Sequence, residues 1–274
     1  MRGFGADVVV AGAGAIGSAL ALTLAQAGLK VAVVDPSPTG ANASAVAAGM
    51  LAPAFETLFD EGSAGRFDLF TTARDLWPGI AGAAGVDLER QGALAVGARQ
   101  AVEGWAARLA AFGAEAAVLR PSAAAALARG LREGLWAVRS TDDWRLDPVA
   151  MLDGLRRSAE ALGARFVAGR VVGFAGEEAV LDRDPPIRTS RLVIATGAAR
   201  DLAPLAPELD QLTPVKGHIL RLAGPCLPGP AIRAPGVYLC PTSSALILGA
   251  SMERGRGDSV IDPIVVADLA ARAE

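Results

Sequence analysis

The chain opens with apolar blocks separated by small-residue breaks. Val8-Val9-Val10 is wholly apolar, as a parallel strand buried on both faces would be. Gly12, Gly14 and Gly17 break the stretch that follows. Ile16, Leu20 and Leu24 then recur four residues apart, which predicts a helix from Ala15 to about Ala27, ended by Gly28. A second apolar burst, Val31 to Val34, ends on Asp35. The 22 uncharged residues between Asp7 and Lys30 are long enough to span a bilayer, and Arg2 ahead of an apolar stretch is a feature of export signals. Strand, glycine turn, helix and second strand account for every break in that run, including Thr23 and Gln26, so no membrane or export segment is expected.

Residues 36–53 are rich in Pro, Ser, Gly and Ala, a composition suited to a tight loop or small-residue helix start where backbone must approach a flat ligand. Helical periodicity returns over 66–83 through Phe67, Phe70, Ala73 and Leu76. From 84 to 146 the pattern shifts to short strands and Ala-rich helices near 100–112 and 122–132, which suggests a different layer or domain. Asp147-Pro148 reads as N-cap and first helical residue, followed by Met151, Leu152, Leu155 and Leu162 and terminated by Gly163. Strands are expected near 164–174 and 178–182, and Leu192-Val193-Ile194 reads as a third buried strand. After Pro214 a β meander is expected at 215–222, 236–241 and 245–249, with Thr242-Ser243-Ser244 as its turn. The chain ends within an apolar-periodic segment, Ile264 to Ala271.

Composition narrows the chemistry. The chain has 274 residues, 52% of them hydrophobic and 20% charged, enough for a sizeable core and too apolar for wholesale disorder. The net charge of −3 comes without blocks of like sign, which argues against nucleic acid as a main partner. Cys226 and Cys240 form no CxxC and are too few for a disulfide framework, so a cytoplasmic setting is expected. With His218 as the one histidine, a His-built metal site is not expected, nor is any Ser–His–Asp scheme that does not use that residue.

Gly12-Ala13-Gly14-Ala15-Ile16-Gly17 fits GxGxxG in its proper setting, after a strand and opening a helix. The first glycine permits the tight turn, the second lets backbone approach a pyrophosphate, and the third lets helix and sheet pack closely. The helix N-terminus offers N–H groups and a positive dipole end to phosphate. Asp35, at the end of the second strand, can accept hydrogen bonds from ribose hydroxyls and would repel a 2′-phosphate. A dinucleotide is therefore expected, FAD or NAD and not NADP.

These residues resemble the D-amino-acid oxidase-like flavoproteins, most closely the glycine oxidases of bacterial thiamine biosynthesis. The resemblance rests on GAGAIG with Asp35, on Ser44 through Glu56 (SAVAAGMLAPAFE), on the Asp147-Pro148 helix and on Ala195-Thr196-Gly197. It continues through Thr213-Pro214-Val215-Lys216-Gly217 and Val237-Tyr238-Leu239-Cys240-Pro241 to Leu248-Gly249-Ala250-Ser251. It implies an α/β fold, with a Rossmann-like FAD-binding domain (1–83 and 147–212) interleaved with an α+β substrate domain built on an antiparallel sheet (84–146 and 213–274). The implied cofactor is FAD. Gly12, Gly14, Ile16 and Gly17 would hold the pyrophosphate and Asp35 the adenosine ribose. Ser44, Ala48, Gly49 and Met50 would line the flavin edge, Val172 would meet the adenine through backbone atoms, and Gly197 would give a second close approach.

Tyr238 matches the family's active-site tyrosine, whose hydroxyl helps to hold the substrate carboxylate, and Glu56 an acidic position near the pocket. The implied reaction is oxidation of glycine or another small amine to an imine, hydrolysed to a 2-oxo acid and ammonia, with oxygen reduced to hydrogen peroxide. Its partners would be that substrate and molecular oxygen, with a homo-oligomer compatible. The family pattern continues past Glu274 with a carboxylate-pairing arginine and a glycine-rich segment at the flavin, so the resemblance reads this chain as lacking its C-terminal segment. Rival readings are a sarcosine-type FAD dehydrogenase, an NAD-dependent dehydrogenase with the same opening, and a non-catalytic fragment. Elsewhere the ordinary readings are favoured. His218 is expected to be structural or partly exposed, and both cysteines buried or incidental thiols. Asp60/Glu61 and Asp142/Asp143 are expected to be solvated pairs, the four tryptophans packing residues, and Arg254 and Arg256 surface groups.

Overall fold

The computed structural model describes residues 4–37, 42–224, 229–242 and 245–273. The chain forms two compact units, each assembled from separated stretches. The first comprises Met1–Ala47, Ile80–Val86 and Pro148–Pro214, and the second Ala48–Gly79, Asp87–Asp147 and Val215–Glu274.

The first unit is built on a four-stranded parallel sheet in the order Leu192–Ile194, Val8–Ala11, Val31–Asp35, Arg165–Ala168. Val9 lies beside Leu192 on one side and Ala32 on the other. Val9, Val10, Ala32 and Val33 are fully buried, which explains why these strands read as unbroken apolar runs. Leu192–Ile194 is at the sheet edge and only half-buried, so the expectation of a fully buried strand is corrected there. Helices Ala15–Gln26 and Pro148–Ala161 pack against each other. A separate antiparallel sheet of Val171–Ala175, Glu178–Leu181 and Ile187–Arg188 closes over Val9, Val34 and Leu202.

The face of the first helix differs from the one its periodicity predicts. Gly17, Ser18, Ala21, Leu22 and Ala25 are buried, whereas Ile16 is exposed and Leu20 and Leu24 are half-buried. Backbone packing decides the orientation. A Cβ on Gly17 would meet the Gly12 carbonyl oxygen, so the glycine face has to point inward and Ile16, one residue away, turns out.

The second unit is organised by a seven-stranded sheet in the order Ile219–Ala223, Ala245–Gly249, Val237–Pro241, Ala231–Ala234, Ala93–Gly97, Trp136–Ser140, Ala117–Leu119. Every neighbouring pair is antiparallel except Ala231–Ala234 with Ala93–Gly97, which is parallel. Phe55, Val102, Leu109, Val138 and Ile247 fill its core. The expected meander is thus one half of a larger sheet. Ala231–Ala234, which the sequence reading missed, joins the two halves, and 215–222 breaks into Val215–Lys216 and Ile219–Ala223. The expected turn at Thr242-Ser243-Ser244 lies partly outside the described residues; Thr242 bonds to the Ala245 carbonyl.

Residues 48–79, expected with the first part of the cofactor domain, pack within the second unit. Helix Pro53–Phe59 buries Phe55 and Leu58, and helix Phe67–Asp75 buries Phe67, in the same core as Leu109 and Ile247. The helix expected over 122–132 spans Pro121–Leu127, and that over 66–83 divides into Phe67–Asp75 and Trp77–Ala84.

Candidate functional site

In the first unit the loop after Val8–Ala11 is held from several directions. The Gly12 N–H donates to the Val34 carbonyl. Asp35 is buried; its Oδ2 accepts from the Ala13 N–H at 2.7 Å and its Oδ1 from the Ser37 N–H at 2.7 Å. Ser44 sits on the short helix Ala43–Val46, capped by the Asn42 side chain, and its Oγ accepts from the Ala15 N–H at 3.0 Å. A Cβ on Gly14 would press on that Oγ at 3.2 Å, so the second glycine makes room for Ser44. Among the described residues, the N–H groups of Gly14, Ile16 and Gly17 meet no acceptor. Three free donors around the start of a 12-residue helix are the kind of donor set a pyrophosphate needs, and the Ile16 N–H is one of them although its side chain is exposed.

Asp35 has lone pairs to spare for ribose while it anchors the loop. Asp35→Asn, which puts an amide N–H beside a loop N–H, is expected to lower flavin retained on purification at least severalfold, read from the absorbance near 450 nm against that at 280 nm. Val172 is exposed, on the edge strand of its sheet, where backbone groups lack a second ladder partner. Gly197 is exposed, in the turn after Leu192–Ile194.

The second unit carries the other predicted residues. Ala48 is buried and its carbonyl accepts from the Cys240 Sγ at 3.3 Å. The Gly49 carbonyl accepts from the Leu146 N–H, and Met50 pairs with Arg145 across a two-stranded ribbon. Tyr238, on Val237–Pro241, stands over Gly249 of the next strand, where any Cβ would strike its ring and hydroxyl. Among the described residues the Tyr238 hydroxyl has no hydrogen-bond partner. Burial, reinforced by Cys240 and Glu56 and opposed by Arg233, pushes its pKa up to about 12, so it serves as a neutral donor. A cavity of about 1000 Å³ is lined by Tyr238, Gly249, Met50, Glu56, Arg233 and Arg254, among others.

Two functional candidates escaped the sequence reading. Arg233 Nη2 bonds Glu56 Oε1 at 2.5 Å, and Arg233 faces Tyr238 directly in the strand register. Its signal was the turn at Pro235-Gly236, which pairs Ala234 with Val237 and therefore Arg233 with Tyr238. Asp143, expected to be solvated, is buried. Its carboxylate accepts from the Ala54 N–H at 2.8 Å and the Phe55 N–H at 3.3 Å, at the start of the helix that carries Glu56. Asp142 is also engaged, with Arg74 and the Glu115 N–H.

His218 is buried. Its Nε2 accepts from the Asp262 N–H at 3.0 Å, which places the proton of the neutral ring on Nδ1, 2.9 Å from Glu253 Oε1. Burial raises the Cys240 thiol pKa above its ordinary value, a setting for an inert thiol; Cys226 lies outside the described residues. The Arg74 and Arg90 guanidinium groups each lie 4.5 Å from the Trp144 ring centre. Arg256 is paired with Glu253 and Asp258, and Arg254 is exposed at the cavity rim. No group of His, Cys, Asp and Glu among the described residues could hold a metal ion, and no described helix is long and apolar enough to cross a membrane.

Residues 7–274 match the family model described as DAO, FAD dependent oxidoreductase. The chain belongs to this family, and its cofactor is FAD. No curated protein matches it by sequence. Among solved structures it is similar to glycine oxidase from Geobacillus kaustophilus, at 25% identity and a TM-score of 0.81, over 98% of this chain and 77% of that one. Glycine oxidase from Bacillus cereus ATCC 14579 gives 22% and 0.84 over the same shares, and L-proline dehydrogenase from P. horikoshii gives 19% and 0.78 over 98% and 76%. The last two likenesses concern the fold alone. The protein is an FAD-dependent oxidoreductase with an α/β fold.

Proposed function

We propose that this oxidoreductase deaminates glycine or another small amino acid, consuming oxygen and water and yielding a 2-oxo acid, ammonia and hydrogen peroxide. The observation that carries the reading is the unpaired Tyr238 hydroxyl in a cavity beside a guanidinium and a carboxylate. FAD, when bound, supplies the two-electron acceptor that the amine requires. The chain's own residues bind and orient. The Gly14, Ile16 and Gly17 N–H groups take the pyrophosphate, Asp35 the ribose and Val172 the adenine, while Gly197 gives backbone access. Ser44, Ala48, Gly49 and Met50 serve the flavin edge. Tyr238 donates to the substrate carboxylate, and no protein nucleophile is needed.

The likeness to glycine oxidase at 25% identity supports glycine as the first substrate to try. The sequence resemblance to the glycine oxidases of thiamine biosynthesis supports a place in that pathway, and the sparse cysteines support a cytoplasmic setting. Under this reading the first unit holds the nucleotide and the second the substrate.

The test is an absorbance scan of the purified chain before and after anaerobic glycine. Bleaching of the flavin bands, with rapid recolouring in air, supports the oxidase; slow recolouring supports a dehydrogenase instead. Bands that persist with glycine and with a panel of small amino acids overturn the reading. Tyr238→Phe is expected to raise KM about tenfold and leave kcat within about threefold, since it removes a hydrogen bond to a charged group made equally in ground and transition states. A fall in kcat alone, measured by oxygen uptake, would contradict that role.

A further inference from the structure

Helix Pro263–Ala271 is loosely held for an element that helps to build the cavity. Val265, Asp268, Leu269 and Arg272 line the cavity beside Tyr238. Yet Leu269, packed on Val237 and Leu248, is the one buried residue of the nine, and Ile264 is 80% exposed. A helix this short is marginal by itself, so its first turn depends on what caps it. The Asp262 carboxylate accepts from the Ile264 N–H at 2.9 Å and the Val265 N–H at 3.4 Å. Asp262 is fixed in turn through its own N–H, which donates to Nε2 of the buried His218 at 3.0 Å. On its other side the ring has Nδ1 2.9 Å from Glu253 Oε1 and 3.1 Å from Ser251 Oγ. Between Glu253–Arg254 and the helix the chain has no regular structure and contains Gly255 and Gly257.

We propose that His218 is a positioning residue whose proton decides whether helix Pro263–Ala271 stays docked as a wall of the cavity. The proposal rests on the amino-acid reading above and adds a regulation of that same site. In the neutral ring Nε2 carries a lone pair and holds the Asp262 N–H. Histidine changes charge within the physiological pH range. Protonation puts a hydrogen on Nε2, so two donors face each other across 3.0 Å and the bond is lost. The cationic ring then draws the Asp262 carboxylate away from the Ile264 and Val265 N–H groups. Glu253 favours the cation, but it sits on a strand paired with Val215–Lys216 and stays beside the ring wherever the helix lies. Docking therefore prefers the neutral ring, and the helix is held at high pH and released as pH falls. The remaining charges nearby are Lys216, Arg254, Arg256 and Asp258. Lys216 bonds Asp258 Oδ1 at 2.5 Å and the Val260 carbonyl, Arg256 bonds Glu253 and Asp258, and Arg254 is exposed at the cavity rim. Hydrogen bonds from Lys216 and Arg256 hold the Asp258 pKa below its ordinary value, so this tie persists when the helix start is released.

Hydrogen exchange and steady-state kinetics on the full chain with its flavin test this. His218→Gln keeps Glu253, Asp258 and Asp262 and offers an amide oxygen to the Asp262 N–H, but carries no charge at any pH. Amide exchange across residues 262–272, corrected for its intrinsic pH dependence, is expected to run about fivefold faster in the wild type at about pH 5.5 than at about pH 8. In His218→Gln the same ratio should stay within about twofold. The glycine KM of the wild type, divided by that of the variant, should rise about threefold or more over this interval while the kcat ratio stays within about twofold. Taking the ratio removes the titration of glycine and of the other side chains. A wild-type exchange ratio near one overturns the proposal whatever the variant does, and so does a pH response shared equally by His218→Gln. Exchange that responds while the KM ratio stays flat overturns the helix as a wall of the substrate site. A chain that oxidises glycine with flat exchange overturns this inference alone. A chain whose exchange responds as expected but which oxidises no amino acid overturns the oxidase reading and leaves the role of His218 on the helix standing.

Discussion

Gly17→Ala is expected to yield a chain that retains less than a tenth of the wild-type flavin and unfolds about 2–3 kcal/mol more easily, as overpacking a tight contact does. The added methyl would sit against the Gly12 carbonyl oxygen, with the carbonyl carbon at 3.0 Å and Val10 Cγ1 at 3.4 Å. Neither backbone atom can yield as a flexible side chain would. Gly12 is itself held at φ +110°, and a Cβ there would approach the Ala195 carbonyl carbon to 2.8 Å. Relief has to come from lifting helix Ala15–Gln26 off the sheet, which displaces the free Gly14, Ile16 and Gly17 N–H groups. The control is Gly104→Ala. Gly104 lies on the exposed face of helix Arg99–Ala111 with nothing near its missing Cβ, so alanine there should add about 0.5–1 kcal/mol and leave the flavin content unchanged. Flavin absorbance per chain and urea midpoints measure both. A Gly17→Ala chain with full flavin would show that the close packing does not shape the cofactor loop.

The parts of the fold that were readable from sequence are those where one local rule decides. Val8–Val10 and Val31–Val34 are apolar throughout because both faces of the sheet are buried there, and Asp147-Pro148 starts its helix where the capping pattern says it should. Where long-range packing decides, local rules fail. Ala231–Ala234 is short, follows Gly229-Pro230 and lacks alternation; its strand identity comes from Ala93–Gly97, well over a hundred residues earlier in the chain. The first helix shows the same conflict inside one element. Its large residues suggested one buried face, yet the contact between Gly17 and Gly12 fixes another.

The site divides along the same line. The glycine turn and Asp35 were legible as local structure, because a strand–turn–helix of this kind imposes its residue types at fixed spacing, whereas Ser44 was picked out through the family resemblance. Arg233 and Asp143 were not, since each gains its meaning from a partner distant in sequence. Glu56 is 177 residues from Arg233, and Ala54 is 89 residues from Asp143. The Asp142-Asp143 doublet looks like a solvated turn until helix Pro53–Phe59 engages its buried second member through two N–H groups.

Asp143 is the position where a single polar substitution should cost most. Asp143→Ala leaves the Ala54 and Phe55 N–H groups buried without acceptors, and each such group costs about 1–3 kcal/mol, so a loss of about 2–4 kcal/mol in unfolding free energy is expected. The pH dependence should also run opposite to that of an ordinary paired aspartate. Burial pushes the Asp143 pKa up to about 7, against the pull of Arg233 and of the two N–H donors, while the unfolded group titrates near the ordinary aspartate value of 3.8. Between those values the folded chain holds the proton more tightly than the unfolded chain. The contribution of Asp143 to stability is therefore fullest below about pH 4 and is lost as pH rises to about 7. Asp143→Asn cannot titrate. The stability of the wild type relative to that variant should fall from pH 5 to pH 8 by more than about 1 kcal/mol, measured by urea unfolding at each pH. A consequence for the cavity follows from geometry. Asp143 accepts from the N–H groups at the start of the helix that carries Glu56, so Asp143→Ala should raise the glycine KM as well as weaken the fold, whereas Asp143→Asn, which keeps one acceptor, should spare it within about threefold. A flat difference between wild type and Asp143→Asn across the pH range would show that the carboxylate stays charged in its buried position, with Arg233 and the helix N–H groups outweighing desolvation.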